Sequence, residues 1–144
     1  QMTLTELNEN LREIYLEAYT QKDASEYIFR QTARELHAIF GPYLPGRTEL
    51  DFYHMDLGTA GIMRGYMAHP CDAELTLEKK LRLFLSMSLR VYHVPEEEAE
   101  RAIALVEGLD IRAIAERVMH KLFEALAMHF DFSLKGITET EGPR

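Results

Sequence analysis

The stretch TELDFYHMDLGTAGIMRGYMAHP, residues 48–70, decides the fold of this chain. Thr48 is a residue type that caps helix N-termini and Pro70 cannot continue a helix, so the stretch predicts one long helix from Thr48 to His69. Its apolar side chains lie on every side of the helical wheel, which predicts a central helix buried all round. They are Leu50, Phe52, Tyr53, Met55, Leu57, Ile62, Met63, Tyr66 and Met67.

Helix start and stop signals divide the rest of the chain in the same way, with no repeat or flexible linker between them. The other predicted helices run over about 5–19, from Asp23 or Ser25 to Phe40, from the Thr76 cap through Leu77 to His93, from Pro95 to the break at Gly108, and from the Asp110 cap to about Phe130. The predicted fold class is therefore all-α, a bundle of about six helices. We expect residues 1–132 to form one ligand-binding and dimerisation domain and residues 133–144 to form a polar C-terminal tail.

Composition limits the possible partners. The 144 residues include 16 Lys and Arg against 24 Asp and Glu, a net charge of −8. A surface that neutralises phosphates needs clustered cations, so we expect this chain to bind neither DNA nor an anionic membrane by itself. The single cysteine, Cys71, excludes an intramolecular disulfide, and no apolar run is long enough for a membrane helix. These features favour a cytoplasmic protein.

Two helices carry more apolar surface than one core needs. The helix that begins at Leu77 is apolar over about two thirds of its circumference, and the last helix over about half, where a stripe of roughly 100° would suffice. Both could be central helices buried by their own chain. The prediction we favour is a homodimer in which both helices pair with a second copy as a four-helix interface. The predicted interface residues are Leu81, Phe84, Leu85, Leu89, Ile114, Val118, Leu122 and Leu126.

The central helix also carries polar residues and glycines. Its polar residues include Asp51, His54, Asp56 and Arg64, and one stripe contains Gly58, Gly61 and Gly65. Glycines inside a helix cost roughly 1 kcal/mol each relative to alanine, so they need a reason. One reason is close packing of a neighbouring helix. The other is a cavity for a small, mostly apolar ligand, rimmed by a few polar groups.

The cavity hypothesis assigns the ligand to one face of this helix and to aromatic residues of the first two helices. The predicted ligand-binding residues are Tyr15, Phe40, Tyr53, His54, Leu57, Gly61, Arg64 and Met67, and Tyr19, Phe29 and Tyr43 could complete the wall.

Motifs for catalysis and cofactor binding are absent from the sequence. It contains no Gly-x-Ser-x-Gly, no His-Glu-x-x-His, no phosphate-binding loop and no dinucleotide-binding glycine pattern. We therefore expect neither an enzyme nor a resident cofactor. Asp51 and His54 lie three residues apart on one helix face and are more simply a hydrogen-bonded polar pair than the start of a metal site.

Three stretches carry a resemblance to a known family. They are Leu11-Arg-Glu-Ile14, Gly61-Ile-Met-Arg-Gly-Tyr-Met67, and the closing part from Val94-Pro-Glu-Glu-Glu98 through Asp110-Ile111 to Leu126. Together with the order of helices they resemble the C-terminal ligand-binding and dimerisation domain of TetR-family transcriptional regulators. In that family an N-terminal helix-turn-helix supplies the DNA contacts, and no such element is found in this chain.

The resemblance implies a homodimer in which a small effector, entering the central cavity, changes the relative orientation of two DNA-reading heads. DNA would then be a partner only through the missing helix-turn-helix. Two other hypotheses stay open. One is a metal-dependent helical effector domain of GntR type with Asp51 and His54 as ligands, and the other is a small helical enzyme that uses the same pair as acid and base.

Overall fold

The structure is a computed structural model that describes the backbone of residues 1–138 and the side chains of residues 1–127. The described chain has seven α-helices and no strand, which confirms the predicted all-α class. The helices are α1 (Met2–Leu7), α2 (Glu9–Thr20), α3 (Lys22–Phe40), α4 (Glu49–Ala68), α5 (Leu77–Val91), α6 (Glu96–Glu107) and α7 (Ile111–Thr138). Residues 1–110, with α1 to α6, form one unit, and α7 belongs to a second.

Two predicted boundaries near the N-terminus are wrong. The first helix is divided at Asn8, whose backbone is extended and whose side chain accepts a hydrogen bond from the Leu11 amide at 3.0 Å. Asparagine is among the best N-cap residues, so it starts a new helix there. Helix α3 starts at Lys22 after Gln21, which provides no side-chain cap, and Ser25 instead donates to the Lys22 carbonyl.

The boundaries of the later helices follow the sequence signals more closely. Thr48 caps α4 in a capping box with Asp51, and Thr76 caps α5 by accepting from the Lys79 amide. Helix α7 extends to Thr138, beyond its predicted end near Phe130. The last part of the predicted polar tail, residues 139–144, lies outside the described residues.

Helix α4 is buried on one face only, so the prediction of a helix buried all round is wrong. Phe52, Asp56 and Met67 are buried, whereas Leu50 is 60% exposed and Leu57 43% exposed. Within residues 1–110 the neighbours of α4 are α1, α2, α3 and α5. They cover the face centred on Phe52, and the apolar residues of the opposite face stay at the surface.

The core of residues 1–110 consists of two clusters of buried side chains. The first core cluster, from α1, α2 and α4, contains Met2, Tyr19, Ala60 and Met67. The second core cluster contains Ala33, Leu44, Phe52 and Tyr92. Helix α4 contributes to both, because Phe52 lies near its start and Met67 near its end.

A buried group of charges connects α1 to α5. Glu6 accepts from Lys80 Nζ at 3.1 Å, from Arg12 at 3.1 Å and from the Cys71 amide at 2.9 and 3.0 Å. Lys80 is only 1% exposed and also donates to the His69 carbonyl. Burial would raise the pKa of Glu6, but the hydrogen bonds from Cys71 and Lys80 and the Lys80 charge outweigh it and hold this pKa below its ordinary value.

Candidate functional site

A cavity of about 230 Å³ lies between the two core clusters, where α3, α4 and α5 leave space between them. Most of its wall is apolar or aromatic, and a few hydroxyl, amide and carboxylate groups are also present. The lining residues are Gln1, Tyr19, Thr32, Leu36, Phe40, Asp56, Thr59, Ala60, Met63, Phe84, Leu85, Ser88, Leu89 and Tyr92. A concave apolar site with a few polar groups is typical of small-molecule binding sites.

The first polar group of the cavity consists of three side chains joined by hydrogen bonds. The hydroxyls of Thr59 and Tyr92 are 2.8 Å apart, and Thr59 Oγ1 lies 3.2 Å from Asp56 Oδ1. A tyrosine hydroxyl that donates to Thr59 leaves the threonine free to donate to the carboxylate. Burial raises the pKa of Tyr92 to about 12, so this phenol stays protonated and can act as the donor at neutral pH.

Asp56 is the charged residue among these three side chains and is only 5% exposed. Burial raises its pKa from 3.8 to about 6, and the hydrogen bond from Thr59 offsets only part of that rise. Among the described residues, no cation forms an ion pair with Asp56. At pH 7 the carboxylate is mostly ionised, and one hydroxyl supplies its side-chain hydrogen bond.

The second polar group is Ser88 on α5. This serine is 6% exposed, and its hydroxyl has no hydrogen-bond partner among the described residues. A buried hydroxyl without a partner costs free energy, so its presence in a cavity wall needs an explanation. A ligand that accepts from or donates to Ser88 would supply one.

Aromatic rings form the end of the cavity next to the second core cluster. Phe40 stacks on Tyr92 with ring centroids 4.6 Å apart and planes within 8°. The end of α5 holds Tyr92 in place: the Val94 amide donates to the Leu89 carbonyl, and the His93 amide donates to Arg90. His93 adopts a φ of 57° to close this Schellman motif, a left-handed conformation that glycine adopts more easily.

Among the predicted ligand-binding residues, Phe40 is the one that lines the cavity. Tyr19, an additional wall residue in the prediction, lines it as well and donates to the Gln1 side chain at 2.9 Å. Met67 is buried in the first core cluster, and Tyr15 packs against that cluster. The Tyr53 hydroxyl donates to Glu26 at 2.7 Å, away from the cavity lining.

The remaining predicted ligand-binding residues lie on the exposed face of α4. His54 and Arg64 are exposed, as is Leu57, and a Cβ added at Gly61 would meet no atom of the described residues within 4 Å. Gly58 and Gly65 have equally open surroundings. Neither close helix packing nor the cavity described above accounts for these glycines.

The predicted dimer residues fall into two groups. Those on α5 are half-buried: Leu81 packs on the first core cluster, and Phe84, Leu85 and Leu89 line the cavity. The cavity and core thus account for apolar surface that the sequence analysis assigned to a second copy. Those on α7, taken by themselves, are all exposed: Ile114, Val118, Leu122 and Leu126.

Asp51 and His54 each contact other residues. The Asp51 carboxylate accepts from the Thr48 amide at 2.7 Å and pairs with Arg47, and the Thr48 hydrogen bonds hold its pKa below the ordinary value. The His54 ring lies edge-on to Tyr53. Within the part of the chain that the structure describes, no group of three or more His, Cys, Asp or Glu residues could hold a metal ion.

Sequence reasoning noticed Asp56 but did not place it in the site, and it missed Ser88. The signal for Asp56 was its spacing, because it lies four residues after Phe52 and four before Ala60, on the same helical face as both. A carboxylate on the buried face of a helix is a stronger indication of function than one on the glycine stripe. Ser88 had no comparable signal, since serine is common on exposed helix faces.

Comparisons with known proteins add no relative. No family model, no curated protein and no solved structure matches this chain. None of the described helices is both long enough and apolar enough to cross a membrane. The proposed function therefore depends on the internal geometry of residues 1–110 and on the exposed face of α7.

Proposed function

We propose that this chain is the effector-binding and dimerisation domain of a TetR-like transcriptional regulator, and that its effector is a small, mostly apolar molecule bound in the cavity between α3, α4 and α5. The cavity is the observation that carries the proposal. Its volume of about 230 Å³ exceeds the roughly 150 Å³ of an apolar cavity that binds benzene, and it is below the range of drug-sized sites. The effector would then be somewhat larger than one aromatic ring.

Helix α7 supports the dimerisation part of the proposal. Ile114, Val118, Leu122 and Leu126 are spaced four residues apart and are 36–48% exposed, so they form an apolar stripe along one face. Stripes of this kind mark interaction surfaces. A second copy is the occupant we propose, because a two-fold axis brings the same face of each chain together and covers both stripes at once. A net charge of −8 disfavours contact with phosphates, so in this proposal the DNA contacts come from outside this chain.

A cavity-filling variant tests the ligand site. Small apolar and amphiphilic compounds are screened for binding by the rise in Tm of the native chain, where a ligand at a hundred times its Kd adds about 2.7 kcal/mol to stability. Ser88→Leu places an isobutyl group in the cavity wall and is expected to abolish the Tm rise for every compound that binds there.

Gly61→Leu is the matched control, because it adds the same side chain to the open face of α4. It is expected to leave binding unchanged. Loss of binding in Gly61→Leu with retention in Ser88→Leu would move the site to the glycine stripe and contradict the proposal. If Ser88→Leu fails to fold, Leu89→Phe narrows the same cavity and takes its place.

Sedimentation equilibrium tests dimerisation. The native chain should be a dimer, and Leu122→Glu should be a monomer because it would bury an unpaired charge in the interface. Lys121→Glu introduces the same side chain at the preceding exposed position and should stay dimeric. A native chain that is monomeric at all concentrations would rule out this role of α7.

A further inference from the structure

We infer that the ligand of the cavity is an organic cation: a small aromatic or alkyl amine whose ammonium group pairs with the Asp56 carboxylate while its apolar part fills the space between Phe40, Phe84 and Leu85. This inference rests on the proposed function, since it names the chemical class of ligand for the same cavity. Three features of the wall point to it: a buried carboxylate with no ion pair among the described residues, neutral hydroxyl groups around that carboxylate, and a serine hydroxyl with no hydrogen-bond partner among the same residues.

The carboxylate is the strongest of the three. Asp56 is only 5% exposed. Among the described residues, Thr59 alone supplies a side-chain hydrogen bond to it, at 3.2 Å. A carboxylate has about four acceptor positions, so most of them are left for a ligand. Buried charges are normally paired, and an ammonium ligand would provide the missing positive charge.

The groups that face Asp56 disfavour an anionic ligand. Tyr19 from α2 and Tyr92 from the end of α5 both have pKa values raised by burial, so both are neutral near pH 7. Among the described residues no lysine or arginine side chain lines the cavity; the basic group of a lining residue is the α-amino group of Gln1, whose pKa is lowered by burial. An anionic ligand would therefore meet the Asp56 carboxylate with no side-chain cation to compensate it, and like charges at short range are strongly unfavourable in a buried site.

Ser88 and the cavity size limit the ligand further. The unpartnered Ser88 hydroxyl can accept a second N–H of an ammonium group or donate to a ligand oxygen. The remaining wall is apolar and aromatic, and the volume of about 230 Å³ suits one ring with a short amine chain.

Three probes of nearly equal size test the inference: 2-phenylethylamine, 2-phenylethanol and 3-phenylpropanoate. They carry a positive, a neutral and a negative group on the same ring. Calorimetric titration at pH 7.5 should show the amine binding roughly ten- to a hundredfold more tightly than the alcohol, as expected for a charge-assisted hydrogen bond, and the acid most weakly. Asp56→Asn should remove the preference for the amine and leave the alcohol affinity nearly unchanged.

Ser88→Ala is the matched control, because it keeps the carboxylate and removes only the hydroxyl. It should weaken amine and alcohol by a similar factor, about two- to tenfold, so that the preference for the amine persists. Equal affinities of amine and alcohol in the native chain, or a preference that survives Asp56→Asn, would overturn the inference and leave the cavity as a neutral-ligand site. Binding of the probes that Ser88→Leu does not reduce, or no binding at all, would instead contradict the proposed function.

Discussion

Two carboxylates, the half-buried Glu6 and the buried Asp56, stand in opposite electrostatic surroundings. Glu6 accepts hydrogen bonds from two cationic side chains and from the Cys71 amide, and its pKa lies below the ordinary value. Asp56 accepts from the Thr59 hydroxyl, and burial raises its pKa to about 6. The ionised carboxylate is therefore stabilised at Glu6 and destabilised at Asp56.

The difference separates a structural contact from the binding group that we propose. The Glu6 contacts join α1, the segment before α5 and α5 itself, and their partners belong to the chain. Asp56 has no cationic partner among the described residues and faces a cavity. Carboxylates with strongly shifted pKa values cluster at functional sites, and in our proposal the missing positive charge arrives with the ligand. Substitutions at the two sites should therefore change stability in opposite directions.

The largest effect is expected at the paired site. Lys80→Met removes the fully buried ammonium and leaves Glu6 with less compensation, which should destabilise the protein by about 3–5 kcal/mol. Urea unfolding measures the loss. The double variant Lys80→Met with Glu6→Gln removes both charges and should recover part of the stability. A loss in the double variant equal to the sum of the single losses would show that the pair is not coupled.

The next effect has the opposite sign and depends on pH. The folded state holds the Asp56 proton more tightly than the unfolded state, since its pKa is about 6 against 3.8. Stability is therefore lost as the pH rises from about 3.8 through 6, and Asp56→Asn should stabilise the protein at pH 7 by up to about 3 kcal/mol and have little effect near pH 4.

Thermal unfolding of Asp56→Asn and of Glu6→Gln over this pH range shows whether each substitution raises or lowers stability. Glu6 has a lowered pKa, so its contribution is present above pH 4.5 and is lost at lower pH. Glu6→Gln should therefore be destabilising at pH 7 and should approach the native chain in acid. Curves that shift in the same direction for both variants would remove the contrast between the two sites.

The smallest effect concerns the unpartnered hydroxyl. Ser88→Ala deletes a buried polar group that has no partner among the described residues and should raise stability by about 1 kcal/mol. Thr59→Ala is the comparison, because its hydroxyl joins Asp56 and Tyr92 and its loss should be destabilising. Chemical denaturation resolves both changes. A destabilised Ser88→Ala would mean that the hydroxyl already has a partner in solution.

The helices could be predicted from the sequence because caps and breakers act locally. Thr48 and Thr76 mark helix starts by side chains that bond within one turn. The buried face of α4 could not be predicted in the same way, since Leu57 and Phe52 are equally apolar but only Phe52 faces the core. Which face is covered depends on where α3 and α5 pack, and that is a property of distant residues.

The site was harder to predict for the same reason. Phe40, one of the predicted ligand-binding residues, lines the cavity, where it ends an amphipathic helix next to a turn. Asp56 and Ser88 are 32 residues apart in the sequence. They line the same cavity only because α4 and α5 pack together. The glycine stripe that suggested a cavity lies on the opposite face of α4.

The Glu6–Lys80 contact also bears on how long the native state persists. The two residues are 74 positions apart in sequence, so their contact closes a long loop, and the entropy of that closure opposes its early formation. Contacts that are absent from the folding transition state slow unfolding without accelerating folding. This buried pair is therefore expected to lengthen the lifetime of the folded chain, with the folding rate set by the local helices.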